Sequence, residues 1–132
     1  MENQTTNAFR LGAVSFLNTK PLNEGLAENM RLCVAGLNGK PEGQALSMLA
    51  AVKSKGRLPK LAELDPLFAS MANGVEVAYA MASVAAHVLV EKRGYREYVD
   101  ALREMKRTRP YQVIEKYWGA MEQIDRDVAD AI

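Results

Sequence analysis

At 132 residues, 48% apolar and 25% charged, the chain has ordinary globular composition and can bury roughly two thirds of its unfolded surface. Seventeen basic against sixteen acidic residues leave a net charge of +1, which excludes a global field that would draw in nucleic acid or an anionic membrane. The single cysteine, Cys33, excludes an intrachain disulfide and reads as a free, inert thiol.

Residues 1–8 form a polar leader without the basic and apolar regions of a signal peptide. No uninterrupted apolar run approaches the ~20 residues of a membrane-spanning helix. The expectation is therefore a cytoplasmic chain with one mainly helical domain over 9–132. Phe9–Leu17 is apolar and β-tolerant and predicts a short strand; Asn18-Thr-Lys-Pro21 predicts a turn, because the residue before proline avoids the α region. Asn23 then caps a helix to about Met30, with Glu24 in its first turn where the helix dipole favours a carboxylate. Gly36–Gly39 is a loop too short and isolated to cradle a phosphate.

Pro41 opens a helix to about Lys55, closed by Gly56. Lys60–Leu64 starts a short helix that turns Leu61, Leu64, Leu67 and Phe68 inward, with Pro66 marking a start at Asp65 or a kink. The best helical pattern begins at Asn73, which has capping-box spacing with Glu76. Val77, Met81, Val84 and Val88 recur at helical spacing among alanines, so a neighbouring helix can approach closely. Gly94 stops that helix. A further helix spans about Tyr95–Lys106, and Pro110 opens one that Gly119 ends. A terminal helix covers Met121–Ile132, with Ile124, Val128 and Ala131 or Ile132 aligned. The basic run Arg103–Arg109 reads as a solvated helix end. The fold class is mainly α, with at most one or two short N-terminal strands. A lone strand cannot form a sheet, which points to an incomplete unit.

Two resemblances meet in the opening stretch. Leu22-Asn-Glu-Gly-Leu-Ala-Glu28, Gly56-Arg-Leu-Pro-Lys-Leu-Ala-Glu-Leu64, and Ala78-Tyr-Ala-Met-Ala-Ser83 followed by Val88-Leu-Val-Glu-Lys-Arg-Gly94 resemble the C-terminal part of gluzincin zinc metallopeptidases over residues 21–132. That resemblance implies Glu24 as a zinc ligand. Its other ligands come from a His-Glu-x-x-His helix, which this sequence lacks, the only histidine being His87. Zinc is thus expected only if another segment supplies the missing ligands. Arg10-Leu-Gly-Ala-Val-Ser-Phe-Leu-Asn-Thr-Lys-Pro-Leu22 is similar to the first strand and turn of menaquinone-pathway chorismate dehydratase. This second resemblance implies that Ser15 and Asn18 lie near a carboxylate-bearing ligand.

Each of these residues also has a structural reading. Glu24 serves equally as a first-turn acid, Asn18 as a turn residue, and His87 as a partly buried helix residue with one ring nitrogen bonded. Ser15 has no His–Asp partner in view. Tyr111, Tyr117 and Trp118 read as packing residues, since no basic stripe interleaves with them. The functional expectation is a non-catalytic helical interaction module, or a fragment that binds a chorismate-like carboxylate, or a helical adaptor with no ancestral site. Its expected partner is a second copy or another protein on the apolar helix face, with neither nucleic acid nor membrane involved.

Overall fold

A computed structural model describes residues 20–34, 41–68 and 74–132, with side chains throughout except at 32–34. The strand expected over Phe9–Leu17, the Gly36–Gly39 loop and the Asn73 cap lie outside the described residues, as do Ser15 and Asn18. Among the described residues every regular element is helical: α1 (Lys20–Val34), α2 (Gly43–Lys55), a 3-10 turn (Leu61–Glu63) running into α3 (Leu64–Phe68), α4 (Gly74–Glu104), α5 (Pro110–Trp118) and α6 (Met121–Asp130). The mainly α architecture expected from periodicity is what forms.

Helix α4 is the centre. Its run from Ala78 to Ala86 is alanine-rich, which favours helix without side-chain entropy loss and keeps the cylinder narrow. Ala80 through Ala86 are all buried, as is Leu89, so neighbours cover α4 on more than one side. Met81 and Val84 of the expected stripe are buried and Val77 and Val88 half-buried, packed against the chain's own core. By length and composition α4 could cross a bilayer, but 56% of its most apolar window is buried inside the fold. No uninterrupted apolar run shows in the sequence here, because Glu76, Ser83 and His87 divide it.

The closest approach is between α4 and α1. Pro21, Leu22, Gly25 and Asn29 form one buried stripe along α1. A Cβ on Gly25 would lie 2.4 Å from the carbonyl oxygen of Ala82 and 2.9 Å from Cβ of Ala86. Only a glycine lets the two backbones come this near. The stripe also corrects the expected turn and cap. Lys20 and Pro21 already belong to α1, where the fixed φ of proline suits an early helical position. Asn23 is therefore exposed on the helix surface and caps nothing, and Glu24 lies beyond the first described turn.

Gly94 breaks α4 with φ 86° and ψ 167°, a combination reserved for glycine. The break has a visible consequence. In a straight helix Ala86 and Tyr98 would stand about 18 Å apart along the axis. Here Ala86 touches Gly25, while the Tyr98 hydroxyl donates to the carbonyl of Leu22, 2.6 Å away and one turn earlier on α1. The arm over 95–104 therefore folds back onto α1. Tyr95 adds a second bond, its hydroxyl to Asn29 Oδ1, which partners a buried amide.

Pro110 and Gly119 bound α5 as expected, and the Trp118 indole donates to the Leu89 carbonyl at 3.1 Å. Its ring meets that of Tyr98 edge-on at 5.9 Å, which makes the aromatic residues packing elements. Along α6, Ile124 and Val128 are buried as expected, joined by Met121; Ala131 is exposed and Ile132 half-buried. Lys92 pairs with Asp127 at 2.7 Å and Lys53 donates to the Ala129 carbonyl at 2.9 Å, tying α6 to α4 and α2. Pro66 sits at the third position of α3, so the α-helix begins at Leu64 without a kink.

Gly25→Ala is expected to lower stability by about 1–3 kcal/mol, because the new methyl must push α1 off α4. Gly43→Ala, which meets nothing within 4 Å, serves as the control and is expected to be neutral or mildly stabilising. Urea unfolding of the two variants beside the parent chain measures the difference.

Candidate functional site

Glu24 is half-buried on α1, and among the described residues no group of three or more His, Cys, Asp or Glu side chains could hold a metal ion. His87 lies on α4 with Nε2 4.0 Å from Glu91 Oε2, a loose contact on its own helix. A catalytic zinc needs three protein ligands, and the described residues by themselves assemble no such set. The carboxylates Glu28, Glu63 and Asp65 do not pair with one another; Glu28 goes to Arg31 and Glu63 to Arg57.

The site that the fold does assemble lies elsewhere, in a cleft of about 340 Å³ between the 57–61 segment, α4 and α6. Its floor is apolar: Leu58, Leu61, Met81, Ala85 and Val128. Each of these reaches the cleft for a local reason. Leu58 leads into the 3-10 turn that points Leu61 inward, Met81 and Ala85 lie one turn apart on α4, and Val128 continues the buried stripe of α6.

Two carboxyl groups line the cleft, exposed Glu122 and half-buried Asp125. Asp125 Oδ1 accepts the Leu61 backbone N–H at 2.9 Å, satisfying a donor at a helix start that has no intrahelical partner. Burial pushes the Asp125 carboxyl above its usual range, while the Leu61 N–H and the charge of Lys60 pull the other way. For an acid whose folded pKa lies above its unfolded value, ionisation works against folding, so this group lowers stability as pH rises through its titration.

The wall of the cleft is held by a fork. Arg57 Nη1 and Nη2 reach Glu63 Oε1 and Oε2 at 2.8 and 2.9 Å, and Glu63 Oε1 also accepts the Lys60 N–H at 2.7 Å. Chiefly through the Arg57 hydrogen bonds, the Glu63 carboxyl is held down at about 2. Lys60, Arg126 and Glu122 complete a charged rim of mixed sign. No sequence spacing announces this site. Asp125 and Leu61 are 64 positions apart, and the only local signal was the i, i+3 placement of Lys60 and Glu63 at a helix start.

Because the folded pKa of Glu63 lies below its unfolded value, the fork contributes stability above about pH 4.5 that is lost as pH falls towards 2. Replacing Arg57 by Leu is expected to return the Glu63 midpoint towards 4.5, read from the carboxyl carbon shift in an NMR titration. An unchanged midpoint would show that the fork does not form in solution.

No protein-family model, curated protein or solved structure matches the chain. The two resemblances of the opening stretch therefore rest on the residues that carry them.

Proposed function

We propose that the chain is a non-catalytic helical binding module and that the cleft beside Asp125 seats a small, mainly apolar ligand. The observation that supports this is one half-buried carboxyl set in an apolar floor of ligand-sized volume, with its second oxygen unclaimed among the described residues. An apolar body would lie on Met81, Ala85 and Val128, and a hydroxyl or amide N–H would donate to the free Asp125 oxygen. The Arg57–Glu63 fork keeps the wall in place before the ligand arrives, which lowers the ordering cost of binding. A peptidase reading finds no support in the donor set, since the sequence holds one histidine and no His-Glu-x-x-His.

Benzamide is a suitable probe, with a flat apolar ring and a donating amide. Titration into ¹⁵N-labelled protein is expected to give saturable shifts at the Leu61, Ala85 and Asp125 amides. Ala85→Met should abolish them by filling the cleft. Asp125→Asn should weaken binding while leaving the Leu61 bond intact, because the free acceptor becomes a donor. A featureless titration of the folded parent chain would dispose of the proposal.

A further inference from the structure

A second groove, of about 430 Å³, runs between α1, α2 and the start of α4 on residues that the cleft does not use. Its rim carries Glu28 from α1, Glu42 at the N-cap of α2 and Glu76 in the first turn of α4. Arg31 Nη2 stands 2.9 Å from Glu28 Oε1 and 2.9 Å from Glu42 Oε1, so an organic cation of the chain itself already bridges two of the three acids. Three carboxylates against one guanidinium leave two negative charges uncompensated, and Glu76 forms no ion pair among the described residues.

The floor supplies an independent observation. Ser83 is only 5% exposed, lines the groove, and finds no hydrogen-bond partner for its hydroxyl among the described residues. A buried hydroxyl without a partner costs free energy that a donor in the groove would recover. Tyr79, 37% exposed and held edge-on by Phe68 at 5.0 Å, adds an aromatic ring to one side. Ala45 and Met48 give an apolar wall.

We propose that this groove binds a primary ammonium group carried on a short apolar stem. An ammonium has three N–H donors and no acceptor, which suits the Ser83 hydroxyl together with the acidic rim. The negative surplus and the Tyr79 ring both favour a cation. A hard divalent ion would need six or more oxygens, and the carboxylates do not converge enough to hold a metal. The stem lies along Ala45 and Met48.

The test is titration of n-butylammonium chloride into ¹⁵N-labelled full chain at low ionic strength, with n-butanol as the uncharged isostere. Saturable shifts at Glu76, Tyr79 and Ser83 are expected with the ammonium and not with the alcohol. Glu76→Gln, on the exposed rim, should weaken binding about three- to five-fold. Ser83→Ala should weaken it about five-fold and yet raise the melting temperature of the free protein, since it removes an unsatisfied hydroxyl; a merely structural serine would show neither. Equal shifts with butanol, unchanged affinity in Glu76→Gln, or a lower melting temperature in Ser83→Ala would overturn the proposal. Shifts centred on Leu61 and Asp125 would overturn it too, by placing the cation in the other cleft.

Discussion

The fold depends on how closely α1 approaches α4. At Gly25 there is no room for even one methyl group, because the Ala82 carbonyl and the Ala86 methyl occupy the space. Van der Waals attraction falls off steeply with separation, so backbones this near gain contacts along the whole crossing. The same nearness brings the Leu22 carbonyl and the Asn29 amide within reach of hydroxyls from the second arm of α4. Without the glycine, α1 would ride higher and the Tyr98–Leu22 and Tyr95–Asn29 hydrogen bonds would be stretched.

Gly94 is the complement of Gly25. One glycine allows close approach and the other allows a backbone reversal, and the two tyrosines close the corner between them. Tyr98 is the most constrained of these side chains. Its hydroxyl is buried against the Leu22 carbonyl, and burial raises its pKa, so it stays a neutral donor. The Trp118 ring then packs on Tyr98 and carries α5 with it. The core thus grows outward from a small-residue crossing, through an aromatic pair, to the terminal helices.

This construction decides where binding surfaces can lie. The apolar stripe of α4 that sequence periodicity offered to a partner is largely covered from within the chain. Among the openings that remain are seams where a third element does not fully close over α4, such as the cleft beside α6 and the groove beside α2. Each seam joins segments distant in sequence, and each holds a shielded polar group, half-buried Asp125 in the first and buried Ser83 in the second. Glu24, in contrast, sits on α1 and belongs to no group of three or more metal donors among the described residues.

Local chemistry made much of the helical layout legible. Proline at 110 and glycine at 94 and 119 act on their own backbone dihedrals, so their effect needs no tertiary context, and α5 and both arms of α4 lie as expected. The spacing of Ile124 and Val128 likewise marked the buried face of α6. The turn at Pro21 was misread because proline fits both a turn and an early helical position, and only the packed stripe of Leu22, Gly25 and Asn29 chooses between them. Neither the cleft nor the groove was legible, since hydrogen bonds such as Leu61 to Asp125 depend on where whole helices come to rest. By itself the sequence determined which segments are helical and where they stop, because propensity, capping and dihedral restriction are local. Tertiary structure alone decided which acids meet which cations and which polar side chains are buried beside an opening. Those outcomes follow from long-range packing, which spacing along the chain does not encode.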